Sequence, residues 1–130
     1  AHFAIGNFIR DALAGGPIEV QGDGLAVRSY MYASDLVIAL LAVLARGESL
    51  RPYNVGSPDA VTIAELALAV RHAIDPAAEV QIGGAPLERL PTGAGSRYIP
   101  DCSRIATELG VKPTVGLADA IARTARWASR

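Results

Sequence analysis

Ten consecutive apolar residues, Leu36–Ala45, constrain this chain more than any other stretch of it. At helical spacing Leu36, Ala39, Leu40, Val43 and Leu44 make one stripe, yet Val37, Ile38, Leu41 and Ala42 make the remaining faces apolar too. A helix that is apolar all round has to be covered on several sides. The run is half of the ~20 residues that a membrane-spanning helix requires, so the cover has to be protein rather than lipid. Apolar residues and glycine together number 75 of 130, above the ~45–50% usual for a soluble domain. The only methionine is Met31, so the first residue is not a translation start. These features predict a piece of a larger protein, residues 1–130 forming one domain with a second layer missing from beside the apolar helix.

Glycine and proline divide the rest. Apolar positions 5, 8, 9, 12 and 13 predict a helix over Phe3–Leu13, stopped by Gly15-Gly16-Pro17. Ile18–Val20 alternates as a strand and ends at the turn signal Gly22-Asp23-Gly24. A second extended stretch follows over Val27–Tyr32, with Arg28 and Tyr30 on one face. Ser34 or Asp35 is expected to cap the apolar helix, which runs to Arg46 and stops at Gly47. Tyr53–Val55 reads as a short strand. Thr62-Ile63-Ala64-Glu65 is a capping-box pattern opening a helix to Ile74. Glu79–Ile82 reads as a strand and Gly83–Gly95 as a loop long enough to carry function. A short helix, capped by Asp101 or Ser103, extends to Leu109, and a last one covers Leu117–Ala128. The sum is an α+β fold of about five helices and three or four short strands.

Several function classes drop out. Twelve basic against 13 acidic residues, with no basic run, argue against a nucleic-acid surface. The lone Cys102 cannot form an intrachain disulfide and gives no zinc spacing with His2 or His72. We read Cys102 as a packing residue, His72 as a residue of a polar helix face and His2 as a terminal residue, with contact to a partner segment as its alternative. There is no secretory n-region and no export signal, so a cytoplasmic setting is expected. No GxGxxG or Walker loop occurs, and the single lysine, Lys112, has Glu108 four positions before it, so there is no Tyr-x-x-x-Lys pair. What remains is arginine on glycine-flanked segments: Arg28, Arg89 and Arg97, the last beside Tyr98. A planar, permanently charged guanidinium suits phosphate oxygens, which it can grip with two parallel bonds.

Four ordered motifs carry a resemblance over essentially the whole chain: Gly-Pro-Ile-x-Val-x-Gly-Asp-Gly (16–24), Val-Arg-Ser-Tyr-Met-Tyr-Ala-Ser-Asp-Leu (27–36), Tyr-Asn-Val-Gly-Ser (53–57), and Arg-Tyr-Ile-Pro-Asp-Cys-Ser-Arg with Glu-Leu-Gly-Val-Lys-Pro (97–113). They resemble the C-terminal, substrate-binding half of the NAD-dependent epimerase/dehydratase family, the extended short-chain dehydrogenase/reductases of nucleotide-sugar metabolism. The resemblance implies an NAD(P)-binding Rossmann half, with the glycine fingerprint and the Tyr-x-x-x-Lys pair, preceding Ala1. It implies a nucleotide-sugar substrate, oxidised at C4 by the cofactor before elimination or hydride return, and a homodimer among the assemblies of the intact enzyme. No cofactor is expected on these 130 residues, and alone they are expected to be inactive.

By the same resemblance Arg28 binds the diphosphate, Val20 and Gln21 hold the base largely through backbone groups, and Tyr98 lies near ribose and phosphates. Asp35 starts the apolar helix and does no chemistry. Many relatives carry an aromatic residue where Gln21 stands, which leaves the base open. Arg89 and Arg97 both qualify as the second phosphate ligand, and Arg97 is preferred. Two other readings stay open: a non-catalytic nucleotide- or partner-binding module derived from the family, and a reductase of non-nucleotide carbonyls.

Overall fold

A computed structural model describes residues 3–130. The core is built where amphipathic helices meet a small sheet. Helix α1 (Ala4–Leu13) buries Phe8, Ile9 and Ala12. Strand β1 (Ile18–Val20) alternates buried, exposed, buried. Helix α3 (Ile63–Ile74) adds Leu66, Ala67 and Val70, and helix α5 (Leu117–Ala128) adds Ile121 and Ala125. Strand β4 (Val80–Ile82) pairs in parallel with β1, Ile18 beside Val80 and Val20 beside Ile82, so the apolar side chains of both strands share the face turned to the helices. Strand β5 (Ala85–Pro86) completes this sheet in the order β1-β4-β5.

Helix α3 starts as its sequence requires. Glu65 N donates to Thr62 Oγ1 at 3.1 Å, and Thr62 N donates to Glu65 Oε2 at 2.7 Å, which closes the box. The Gly83–Gly95 loop contains strand β5: Gly83 and Gly84, at φ 59° and 80°, make the tight turn from β4 into β5. A two-residue turn with both φ positive matches the twist of paired strands, and glycine adopts it without strain.

The second sheet has the order β3-β2-β6. Its central strand β2 (Val27–Arg28) runs antiparallel to β3 (Val61–Thr62) and parallel to β6 (Arg97–Tyr98). The extended stretch expected over Val27–Tyr32 is thus paired only at its first two residues. The expected strand at Tyr53–Val55 is absent. Its residues are held by side chains instead: Arg104 Nη1 donates to Pro52 O at 2.7 Å, Asn54 Nδ2 to Asp101 O at 3.0 Å and Tyr53 Oη to Glu108 Oε2 at 3.2 Å. Arg104 and Glu108 lie on α4 (Ser103–Leu109), and Asp101 just before it.

Helix α2 (Ala33–Arg46) begins earlier than expected, and neither Ser34 nor Asp35 caps it: Tyr32 occupies the cap position without a side-chain bond. The Asp35 carboxylate reaches out of the helix instead. In α4, Cys102 holds the cap position, and Asp101 Oδ1 accepts from Ser103 N at 2.9 Å.

One face of α2 buries Asp35 and Ala39, while Leu36, Val37, Ile38, Leu40, Leu41 and Leu44 stand exposed. The apolar helix is therefore uncovered on most of its circumference. Among the described residues, no helix is long and apolar enough to cross a membrane.

Candidate functional site

The β2–β6 pair sets the geometry. Asp23 Oδ1 accepts from Leu25 N at 2.9 Å and shapes the turn that delivers the chain into β2. The segment before β6 then lies backbone against backbone on Leu25: a Cβ on Gly95 would fall 2.1 Å from Leu25 O. Only glycine permits that approach. It brings Ser96 beside β2, where Val27 N donates to Ser96 O at 2.8 Å.

Arg28 is held by the same residue. Its Nη1 donates to Ser96 O at 2.9 Å and to Val27 O at 2.8 Å, and its Nη2 donates to Ser96 Oγ at 3.1 Å. The parallel register places Arg28 beside Tyr98, and paired residues of neighbouring strands share a face. Tyr98 is 77% exposed beside the half-buried Arg28. Tyr30 packs against the core, and burial raises its hydroxyl pKa, opposed in part by the positive charge of Arg28.

The other sequence-derived candidates are spread more widely. Arg97 pairs with Val27, so alternation turns its side chain to the face opposite Arg28 and Tyr98. This register revises the preference for Arg97 as a second phosphate ligand on the Arg28 side. Arg89 is exposed on the loop after β5. Val20 and Gln21 belong to the other sheet: Val20 is buried in the core, which leaves its backbone for any ligand, and Gln21 is exposed just past the strand end. Ser96 escaped sequence reading. Its proximity to Arg28, 68 positions away, has no local signature beyond the glycine before it.

A hollow of about 560 Å³ lies elsewhere, between α2, α4 and the loops carrying Met31, Val55, Pro100 and Lys112. None of the six candidates lines it. Cys102 does, and burial, with the nearby Asp101 charge, raises its thiol pKa, which suits packing rather than nucleophilic work. His72 is exposed on α3, and His2 lies outside the described residues. Among the described residues, no group of three or more His, Cys, Asp or Glu could hold a metal ion.

Comparison with known proteins shows which family the chain resembles. The sequence profile of the NAD dependent epimerase/dehydratase family matches residues 2–56. UDP-glucuronic acid decarboxylase 4 of Arabidopsis thaliana is 35% identical over 113 residues, 87% of this chain and 24% of that protein. The dTDP-glucose 4,6-dehydratase of Streptomyces griseus is 34% identical over 123 residues, 95% of this chain and 36% of that protein. The Bordetella bronchiseptica enzyme WbmF, solved in complex with NAD+ and UDP, superposes with a TM-score of 0.83 at 26% identity, over 98% of this chain and 36% of WbmF. The chain is similar to members of the NAD dependent epimerase/dehydratase family over most of its length.

It spans between about a quarter and about a third of the length of the curated relatives it matches. The α+β arrangement expected from the motifs is the one found, with five helices and two small three-stranded sheets among the described residues. The glycine turn at Gly22–Gly24 leads from β1 into strand β2, so no helix N-terminus follows to receive a pyrophosphate.

Proposed function

We propose that this chain is the substrate-binding portion of an NAD-dependent nucleotide-sugar epimerase/dehydratase, similar to dTDP-glucose 4,6-dehydratase, and anchors the nucleoside diphosphate of its substrate. The observation that carries this reading is Arg28 on the central strand of the second sheet, beside exposed Tyr98, in a chain similar to this family. Arg28 grips the diphosphate, and Tyr98 lies along the ribose. Backbone groups of Val20 and Gln21 meet the base, and Arg89 supplies a second guanidinium from its loop. Arg97, on the opposite face, takes part only through the far side of the strand.

On this reading NAD(P) is bound by polypeptide outside these residues, in a Rossmann half packed against the uncovered face of α2, and the 130 residues alone do not turn over substrate. Their contribution is positioning. Binding energy gathered at the diphosphate, remote from the reacting carbon, orients the hexose. A homodimer and a cytoplasmic location belong to the same proposal.

Titration of the intact protein with UDP, dTDP, CDP and GDP tests it. We expect saturable binding with a preference for one base. Binding of none of the four would refute the nucleotide reading and favour a carbonyl substrate without a nucleotide.

A further inference from the structure

We propose that Ser96 is a positioning residue that presents one edge of the Arg28 guanidinium to a diphosphate, an inference that rests on Arg28 being the phosphate ligand. A guanidinium carries five N–H donors in a fixed plane. Three of those of Arg28 are engaged, with Val27 O, Ser96 O and Ser96 Oγ. The two left over among the described residues are Nε–H and one N–H of Nη2, which lie side by side on one edge of the plane. That edge is a two-pronged donor whose spacing matches a pair of phosphate oxygens.

Ser96 is itself fixed. Its carbonyl also accepts from Val27 N, and the residue before it rests on the Leu25 backbone. The arginine is thus oriented before any ligand arrives, and the side-chain freedom that a loose arginine would lose on binding has already been lost in folding. Two acceptors from one residue set the direction of the free edge. The hydroxyl is the removable one, because the carbonyl belongs to the backbone.

Calorimetric titration of the full chain with UDP and dTDP, and with uridine and thymidine, separates the possibilities. Ser96→Ala should weaken binding of the diphosphates about threefold to tenfold, the range for losing one hydrogen bond, and leave nucleoside binding unaltered. Ser96→Thr, which keeps the hydroxyl, should restore the diphosphate affinity. Added to Arg28→Ala, Ser96→Ala should cause no further loss. The inference is overturned if Ser96→Ala leaves diphosphate affinity unchanged, if it weakens the nucleosides equally, or if the double variant loses more than Arg28→Ala alone. If Arg28→Ala itself has no effect, the phosphate reading beneath it fails instead.

Discussion

The carboxylate of Asp35 holds Thr114, 79 residues away: Oδ1 accepts from Thr114 Oγ1 at 2.7 Å, and Oδ2 accepts from Thr114 N and Val115 N, each at 2.9 Å. This contact fastens the first turn of α2 to the segment leading into α5. Hydrogen bonds from Val115 N and the Thr114 hydroxyl hold the Asp35 pKa below its ordinary value. Asp35→Ala leaves these donors without their acceptor, and we expect it to lower the unfolding midpoint by several degrees.

The same contact sets an acid dependence. A carboxyl whose folded pKa lies below its unfolded value stabilises the fold above the unfolded value, here 3.8. The contribution is lost as pH falls through the folded pKa. Thermal unfolding followed from pH 7 to pH 2 should show the parent losing stability below about pH 4 more steeply than Asp35→Asn. Parallel curves would show that the Asp35 contact does not contribute to the acid limb.

Arg28→Ala should weaken binding of the nucleoside diphosphate by about 1.5–3 kcal/mol, the range for a hydrogen bond to a charged group. Arg28→Lys should recover only part of that, since an ammonium cannot offer the paired edge. An equal affinity for Lys and Arg would mean that charge alone matters here.

Gly95→Ala puts a methyl group into the Leu25 backbone, with contacts of 2.1 Å to its oxygen and 2.3 Å to its carbonyl carbon. Neither atom is the end of a flexible side chain, so β6 has to move away from β2. We expect a loss of about 1–3 kcal/mol, as for other overpacked sites, measured as a lower urea midpoint. Diphosphate affinity should fall as well, since Ser96 moves with the strand.

Leu41 is 58% and Leu44 84% exposed on α2. The 130-residue chain should therefore bind a hydrophobic dye such as ANS and self-associate. Leu41→Glu with Leu44→Glu should reduce both while changing stability by less than about 0.5 kcal/mol per site, the usual range for surface positions. A large loss of stability would mean that these leucines pack against the rest of the chain.

Local physics made much of this molecule readable from residues alone. Helix periodicity marked α1, α3 and α5, because each buries one stripe against the same core. The capping box at Thr62 and Glu65 is likewise complete within four residues. The errors fall where partners are distant in sequence. Asp35 looked like a cap, yet its acceptors serve residues 114 and 115. Tyr53–Val55 looked like a strand because its composition suits one, but its side chains bond Glu108 on α4 and Asp101 just before it. Strand β3 was hidden at a helix cap, and β5 inside a loop, since two-residue strands leave no period to detect.

The site divides in the same way. Glycine-flanked arginines pointed to a phosphate-binding chemistry and the ordered motifs to a family resemblance, because residue type and chain order are properties of the sequence. Which arginine stands beside Tyr98, and which turns to the other face, followed only from the pairing of Arg28 with Tyr98 and of Val27 with Arg97. Register is a relation between segments about 70 residues apart, and a slip of one position exchanges the two faces. Sequence set the available chemistry and the local elements; long-range pairing, fixed by burial and by the close approach at Gly95, chose which side chains meet.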